Sequence, residues 1–375
     1  MWKNILGQDT VKDKIKSLYK AGKLSHAYLF YGNDGVGKDA VAIELAKLLN
    51  CSNVQNGDEC CDKCDNCKRI SAFRSQYFTL VCAIPAGRSD ETDSDPIEKL
   101  SAGDFEAYIE QLGIKSQNPY YKINLTGANN IRINSIRDLV SKIYLTVPAN
   151  NVKVFLISEA EKMRQEASNA LLKILEEPPA KSLLILTTSK VNALPQTIAG
   201  RCQKIFFEPL TDKQISEKLA ETTSYSEKDI NLASRISSGS YSRAQQLIEM
   251  GVDDLRNFAI EYLVSILKND YADTVLISRN ISAKNDRDRT RCFLYILNTW
   301  FNDLLHTKYE TQNSGLSAAN SDLIERLQKM AQNYPETNIY DILMEIEEAD
   351  RLITQNVQLT LILVNLSIKL KEMIH

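Results

Sequence analysis

The sequence predicts an α/β fold in which a parallel-sheet domain is followed by a region made only of helices. Across residues 1–208, short apolar runs alternate with helical periods, which is the order that builds parallel sheets. From residue 253 to 375 only helical periods occur. A chain of 375 residues is also too long for one ordinary hydrophobic core, so two or three domains are expected.

Five apolar runs are the candidate strands, and four helical periods accompany them. The runs are Ala27–Tyr31, Tyr77–Ala83, Val152–Ile157, Leu183–Thr187 and Ile205–Phe207. The helical periods are Val11–Ala21, Lys38–Leu49, Ser135–Leu145 and Glu166–Leu175. Because strands alternate with helices, the sheet is expected to be parallel.

Two segments interrupt this alternation. One is a cysteine cluster at residues 51–67, and the other runs from about residue 84 to 130. The second segment begins with a polar stretch, Gly87–Pro96, which is typical of a loop. A short amphipathic piece at Asp104–Leu112 predicts one helix within it.

The rest of the chain divides into a small helical lid, residues 209–252, and a helical domain, residues 253–375. The lid has two or three short helical periods, with Gly239-Ser240 between them. The last helical period, about Ile342–Ile374, is long and rich in Leu and Ile, so it is expected to bury an apolar stripe against neighbouring helices.

The composition is that of a globular protein, with 43% hydrophobic and 25% charged residues. The net charge is −3, whereas a protein that grips duplex DNA by itself usually carries a basic excess. Contact with DNA is therefore expected to need a local patch or partner proteins. The sequence has neither a secretory h-region nor an apolar run near the roughly 20 residues of a membrane span, which predicts a cytoplasmic location.

A phosphate-binding loop is predicted between the first strand and the helix after it. Residues 32–39 read Gly-Asn-Asp-Gly-Val-Gly-Lys-Asp, and strand, loop and helix form the context of a Walker A sequence. Gly32, Gly35 and Gly37 let backbone N–H groups turn toward phosphate, and the helix N-terminus adds positive potential. Lys38 would reach the outer phosphates.

The residue after this lysine departs from the pattern. A Walker A sequence has Ser or Thr there, whose hydroxyl binds magnesium, but this chain has Asp39. A carboxylate is a magnesium ligand too, but it is longer and charged. Without a metal between them, a carboxylate about 4 Å from a triphosphate costs about 4 kcal/mol. The alternative is a loop kept for its fold, with no nucleotide.

The second magnesium position is altered as well. In such sites a central strand ends in Asp-Glu, where the Asp helps to hold magnesium and the Glu polarises water. Here strand Val154–Ile157 is followed by Ser158 and Glu159, so only the Glu remains. Asp39 and Ser158 together predict that the chain does not turn over ATP, and they leave ATP and Mg²⁺ doubtful as cofactors.

The cysteine cluster predicts a structural zinc site. Cys61, Cys64 and Cys67 are separated by two-residue gaps, and Cys51 lies upstream. Such spacing lets thiolates converge on one tetrahedral Zn²⁺, and four sulfur ligands leave no open position for water. Cys60 directly precedes Cys61, so either of the two could be the second ligand.

The sequence also resembles the bacterial DNA polymerase III clamp-loader family of AAA+ proteins, over nearly the whole chain. Three segments carry the resemblance: Gly7-Gln8 with Gly22–Phe30, then Asn-Ala-Leu-Leu-Lys-Ile-Leu-Glu-Glu-Pro-Pro at 169–179, and Asn-Val-Gln-Leu-Thr-Leu-Ile-Leu at 356–363. The most similar member is delta-prime, which does not hydrolyse ATP. The implied fold is an AAA+, RecA-like parallel-sheet domain with a zinc-finger insertion, a helical lid and an all-α collar domain.

The resemblance implies a role in DNA replication. In that family three types of AAA+ subunit form a five-membered ring, which opens the ring-shaped sliding clamp and places it on primed DNA. The implied partners are the motor subunits, the delta subunit, the sliding clamp and, through the complex, primed DNA. The expected assembly is a hetero-pentamer without membrane contact, in which the collar, residues 253–375, packs with the collars of its neighbours.

The resemblance also implies roles for single residues. Arg201, within Gly200-Arg201-Cys202, matches the arginine finger that delta-prime offers in trans to a neighbouring ATP site, although the family has Ser in place of Gly200. A guanidinium suits this role because it is always charged and binds phosphate oxygens bidentately. Thr187 and Thr188 end a strand at the sensor 1 position, but a hydroxyl that satisfies backbone groups is an equal interpretation.

Two further matches are imperfect. The sensor 2 arginine is expected three residues after Gly239, where this chain has Ser242, with Arg243 one position later. In the finger, the family has one Cys, eight residues and then three Cys at two-residue gaps. Cys60 keeps the eight-residue gap, whereas Cys61 keeps the later register. The predicted ligands are Cys51, Cys61, Cys64 and Cys67, with Cys60 spare.

The sequence is compatible with three functions. The first is a non-hydrolysing clamp-loader subunit, which is itself no ATPase but is part of the DNA-directed DNA polymerase holoenzyme. The second is an active motor of the same family, similar to gamma/tau, with Asp39 and Glu159 holding magnesium. The third is a zinc-stabilised adaptor outside replication. Asp39, Ser158 and Ser242 favour the first over the second, and the Asn169–Pro179 segment favours it over the third.

Overall fold

The structure is a computed structural model that describes residues 2, 5–86, 95–309, 319–355 and 357–374. Residues 87–94 of the predicted polar loop and Asn356 of the third matching segment lie outside the described residues. The chain forms two compact units: Met1–Gln214 with Gly239–Ser242, and Ile215–Ser238 with Arg243–His375.

The N-terminal unit is built on a five-stranded parallel sheet. The strands are β1 (Ala27–Tyr31), β2 (Phe78–Val81), β3 (Lys153–Ile157), β4 (Ser182–Thr188) and β5 (Gln203–Phe206). Their order across the sheet is β2-β3-β4-β1-β5, and every neighbouring pair is parallel. The predicted α/β fold is confirmed, and each predicted apolar run overlaps one strand.

Seven α-helices accompany this sheet in the described residues. They are α1 (Asp9–Lys20), α2 (Lys38–Asn50), α3 (Asp65–Ser71), α4 (Ala102–Gln117), α5 (Ile133–Ile143), α6 (Gln165–Glu176) and α7 (Gln196–Ala199). Helix α4 extends the predicted Asp104–Leu112 at both ends. It begins after Ser101, whose hydroxyl oxygen accepts the Asp104 N–H at 3.1 Å and caps the helix.

The strand side chains point alternately to the two faces of the sheet, and both faces are buried. Ala27 and Leu29 of β1 belong to one apolar cluster with residues of α4, α5 and α6. On the other face, Tyr28 and Phe30 are fully buried, and the rings of Phe30 and Phe207 lie 5.1 Å apart. Because all strands are parallel, the carboxyl ends of β1, β3 and β4 meet at one edge, which is where such sheets place a ligand site.

The second unit is helical in its described residues. Its helices are α8 (Asp212–Thr222), α9 (Glu227–Ile236), α10 (Tyr241–Glu249), α11 (Val252–Lys268), α12 (Tyr271–Ile281), α13 (Arg287–Tyr309), α14 (Ile324–Asn333), α15 (Ile339–Thr354) and α16 (Leu359–Met373). Helices α8 and α10 each begin in residues of the first unit. The separation of lid and collar at residue 252 stays a prediction.

The last part of the chain differs from the single long period predicted at Ile342–Ile374. Two helices, α15 and α16, replace it, and they pack against each other. An apolar periodicity does not reveal a short break between two stripes of similar composition. None of the helices in the described ranges has both the length and the apolar character needed to cross a membrane.

Candidate functional site

The predicted phosphate loop joins β1 to α2, as expected. Gly32, Gly35 and Gly37 have φ angles of 143°, 73° and 101°, a region that favours glycine. A Cβ added to Gly37 would lie 2.9 Å from the hydroxyl oxygen of Tyr120. The loop therefore has the conformation that its sequence predicts, but a tyrosine of the same chain packs against it.

Lys38 is buried at the start of α2. Its ammonium donates to the carbonyl oxygens of Gly32 at 2.8 Å and Asn33 at 2.5 Å. Burial lowers the pKa of Lys38, although the carboxylates of Asp34 and Asp39 oppose this shift. The ammonium is thus folded back onto its own loop.

Asp39 is bound by three side chains. One carboxylate oxygen accepts from the Lys115 ammonium at 2.9 Å and from the Ser158 hydroxyl at 2.8 Å. The other oxygen accepts from the Thr187 hydroxyl at 2.8 Å. Burial acts to raise the pKa of Asp39, but Lys115 and the two hydroxyls outweigh it and hold this pKa below its usual range. The carboxylate is therefore ionised and fully paired within the protein.

Lys115 reaches this site from the last turn of α4, in the segment inserted at 84–130. It is only 3% exposed, and its ammonium also donates to the carbonyl oxygen of Tyr121 at 2.8 Å. The sequence did not predict a role for this residue. It lies 76 positions from Asp39, and no motif links the two.

Glu159, the predicted base, is also held by lysines. Its two carboxylate oxygens contact the ammonium groups of Lys122 and Lys162, each at 2.7 Å. Lys122 also contacts Asp34 at 2.8 Å. Burial alone would lower the pKa of Lys122, but the two carboxylates raise it above its usual value. Glu159 is therefore not free to orient a water molecule in this state.

The two threonines at the end of β4 differ in what they contact. The Thr188 hydroxyl oxygen accepts the backbone N–H of Lys190 at 3.0 Å. Its neighbour Thr187 is the one whose hydroxyl reaches Asp39. Both residues line the cavity beside the loop, which has a volume of about 40 Å³.

The two sensor 2 candidates have separate surroundings. A Cβ added to Gly35 would lie 2.2 Å from the hydroxyl oxygen of Ser242, so this serine lies against the phosphate loop. Arg243 belongs to the second unit, where its guanidinium carbon lies 4.2 Å from the centre of the Tyr295 ring.

Arg201 follows α7 and lies at the surface of the first unit. Its guanidinium donates to the Thr197 carbonyl oxygen at 2.8 Å and contacts a Glu176 carboxylate oxygen at 2.6 Å. The Arg201 side chain is 38% exposed and that of Glu176 is 50% exposed. Exposed ion pairs of this kind contribute little to stability, so a stronger anion can displace Glu176 from the guanidinium.

Four cysteines converge as a metal centre requires. The sulfur atoms of Cys51, Cys61, Cys64 and Cys67 all lie within 4.8 Å of one another. A tetrahedral Zn²⁺ with Zn–S bonds of about 2.3 Å needs sulfurs about 3.8 Å apart, so the group fits. Although burial opposes it, backbone N–H groups of Cys67 and Ser52 lower the pKa of Cys64 to about 6, whereas burial raises the pKa of Cys51 and a hydrogen bond with Cys60 raises that of Cys67.

Cys60 lies outside this group of four. Its thiol donates to carboxylate oxygens of Glu44 at 3.4 Å and Asp62 at 3.3 Å. The sulfur that converges with those of Cys51, Cys64 and Cys67 is therefore that of Cys61, which is compatible with the predicted ligand set. Acidic residues of the finger also pair with helices α1 and α2, because Lys20 contacts Asp58 at 2.9 Å and Lys47 contacts Asp62 at 2.7 Å.

Comparison with known proteins gives one family and several relatives. Residues 7–211, more than half of the chain, match the family described as DNA polymerase III, delta subunit. The tau subunit of DNA polymerase III from Salmonella typhimurium is 27% identical over 293 residues, which are 76% of this chain and 38% of that protein. The delta' subunit from Bacillus subtilis is 30% identical over 210 residues, which are 55% of this chain and 50% of that protein.

A second tau subunit, from Bacillus subtilis, is 27% identical over 286 residues, which are 75% of this chain and 41% of that protein. The alignments thus span about two fifths of the length of these tau proteins. What the complete relatives do is therefore carried to this chain only as a proposal.

Proposed function

The chain belongs to the bacterial DNA polymerase III clamp-loader family of AAA+ proteins, and we propose that it is a non-hydrolysing subunit of a clamp loader, of the delta-prime kind. In this role it joins motor subunits and a delta subunit in a hetero-pentamer that places a sliding clamp on primed DNA. It works in the cytoplasm and contributes a rigid arm and an arginine, not ATP turnover.

One observation carries this proposal: all three positions that would act on a nucleotide are engaged by protein atoms. Lys38 donates to its own loop, Asp39 is paired with Lys115, and Glu159 is paired with two lysines. The cavity of about 40 Å³ beside the loop has room for a few water molecules. A site in this state supports neither magnesium binding nor water activation.

The arginine role rests on position and exposure. Arg201 is the residue that matches the family's finger, and its guanidinium lies at the surface, held by a partly exposed glutamate. In trans, it would stabilise the charge that develops on the phosphates bound by an adjacent motor subunit. Its partner Glu176 lies in the Asn169–Pro179 segment that carries the resemblance.

The metal of the finger is proposed to be Zn²⁺ with a structural role. Four thiolates would hold it, which is the donor set of closed zinc sites and leaves no position for a substrate. The ion would fix the loop between α2 and α3.

The runner-up function is an active motor similar to tau. The tau alignments cover more of this chain than the delta' alignment does, and the glycines and lysine of the phosphate loop are present. Under this alternative the lysines would leave Asp39 and Glu159 when nucleotide enters.

ATP turnover by the purified full-length chain, with and without Mg²⁺, separates the two functions. We expect no magnesium-dependent turnover above the level of a Lys38→Ala variant, because neither magnesium position is available. A tau motor subunit measured in parallel is the positive control. Magnesium-dependent turnover that is lost in Lys38→Ala would instead identify this chain as a motor.

A further inference from the structure

We propose that the ammonium group of Lys115 takes the place of the divalent cation in this site, so that residues 115–122 of the inserted segment occupy the site in place of a metal. This inference rests on the proposed function, since it explains how a site without turnover stays ordered. It also assigns a purpose to a segment for which the sequence suggested none.

The two groups that bind the ammonium are oxygen ligands of the kind that a hard cation takes. Lys115 donates to a carboxylate oxygen of Asp39 and to the carbonyl oxygen of Tyr121. The hydroxyls of Ser158 and Thr187 do not bind the ammonium; they donate to the Asp39 carboxylate, each at 2.8 Å, and hold it in place. Carboxylate and carbonyl oxygens are ligands that Mg²⁺ and Mn²⁺ prefer.

The two residue changes in this site are reciprocal. Active sites of this type have a hydroxyl at the start of the helix and an Asp at the end of the strand. This chain has Asp39 on the helix and Ser158 after the strand, and the two side chains are hydrogen-bonded at 2.8 Å. The carboxylate–hydroxyl pair is therefore retained, with its two members exchanged. Its negative charge still needs a cation for balance, and the Lys115 ammonium is that cation.

Other residues of the inserted segment also contact the phosphate loop and the acidic residues of the site. Tyr120 packs against Gly37 of the phosphate loop, and its hydroxyl accepts the Leu6 N–H at 2.7 Å. Lys122 bridges Asp34 and Glu159. One short stretch thus contacts both sides of the loop and both acidic positions, which an isolated surface ion pair would not do.

The test is Mn²⁺ binding to the full-length, zinc-loaded chain, followed by the electron paramagnetic resonance signal of free Mn²⁺. Lys115→Met removes the ammonium but keeps a chain of similar length, and it leaves the Asp39 carboxylate without its cation. We expect one saturable Mn²⁺ site at least tenfold tighter than any in the unaltered chain. Lys173→Met, the same substitution at an exposed position of α6, should leave binding unchanged.

The double variant Asp39→Asn with Lys115→Met removes both charges and should lose the gained site. The inference is overturned if Lys115→Met binds Mn²⁺ no tighter than the unaltered chain, or if the double variant binds it equally well. If Lys115→Met does not fold alone, the inference requires Mn²⁺ to restore its circular dichroism spectrum, and failure to do so overturns it.

The same preparations separate this inference from the proposed function. Magnesium-dependent ATP turnover by the unaltered chain would contradict the proposed function, whatever Mn²⁺ does. Absence of a new Mn²⁺ site in Lys115→Met, with no turnover by the unaltered chain, contradicts only the role of Lys115.

Discussion

Asp39 lies in the first turn of α2, where the helix dipole and the loop N–H groups create positive potential. In a working Walker A site this potential serves the phosphates of the nucleotide. Here a carboxylate of the chain itself lies there, and Lys115 balances its charge. The charges around the helix N-terminus are therefore balanced by groups of the chain itself. This favours a site that is stable without nucleotide.

Asp39→Asn should destabilise the N-terminal unit by about 3 kcal/mol, because it leaves the nearly fully buried Lys115 ammonium without its counter-charge. Urea unfolding, followed by a signal from this unit, measures the loss. Ser158→Ala is the matched control, since it removes one neutral hydroxyl from the same carboxylate and should cost only about 1 kcal/mol. Equal effects of the two variants would contradict the central role of the ion pair.

The pH dependence of this loss has a definite sign. The pKa of Asp39 in the folded chain lies below its usual value, so its carboxylate stabilises the fold above the unfolded pKa of about 3.9. The stability difference between the unaltered chain and Asp39→Asn should be full at neutral pH. It should shrink as the pH falls below about 4 and through the folded pKa.

At the scale of single residues, the sequence predicted the acidic half of the site but not the basic half. Asp39, Ser158 and Glu159 could be found because a motif fixes their positions relative to strands and helices. Lys115 and Lys122 could not, because they meet these carboxylates only through tertiary folding. In the sequence, lysines of a polar insertion cannot be distinguished from ordinary surface residues. Only the folded structure shows that they contact the site.

At the scale of elements, the finger between α2 and α3 is the part whose stability should depend on a ligand. Cys61→Ser should abolish stoichiometric zinc binding, since it removes one of the four converging sulfurs. Metal content of the purified chain, and the absorption bands of a Co²⁺-substituted sample, measure this directly. Loss of the metal should also lower the melting temperature of the N-terminal unit, because binding and ordering of such loops are coupled.

Cys60→Ser is the control for this prediction, as it changes the neighbouring thiol. Cys60 donates to Glu44 and Asp62 and is absent from the group of four, so this variant should keep one zinc per chain and four-thiolate Co²⁺ bands. A Cys60→Ser variant that loses zinc while Cys61→Ser retains it would reverse the ligand assignment.

The elements of the sheet were the most predictable part of the fold. All five strands were located because buried parallel strands are short apolar runs bounded by polar sequence. Helix α3 was missed because it has only seven residues, begins within the cysteine cluster and is too short to show a periodicity. The break between α15 and α16 was missed because both helices carry the same kind of apolar stripe.

At the scale of the whole molecule, the proposed function places the decisive chemistry outside this chain. A subunit whose own site is filled by lysines can still act on a nucleotide if it presents a cation to a neighbour. Arg201 meets that requirement because it carries a guanidinium, which binds phosphate oxygens bidentately, and is exposed at the surface of its unit. The exposed ion pair with Glu176 holds the Arg201 side chain in place before assembly. Because such a pair is weak, breaking it when the complex forms costs little free energy.

Arg201→Ala should therefore leave assembly intact and impair catalysis in the complex. In a clamp loader reconstituted with motor subunits, clamp and primed DNA, we expect ATP turnover at the adjacent site to fall by about 10³-fold. Arg201→Lys should recover only part of it, because an ammonium does not bind phosphate bidentately. Glu176→Gln is the matched control, since it removes the intrachain partner but keeps the guanidinium, and it should retain full turnover. Full-rate hydrolysis by an assembled Arg201→Ala complex would rule out the arginine role, and with it the main contribution proposed here for this subunit.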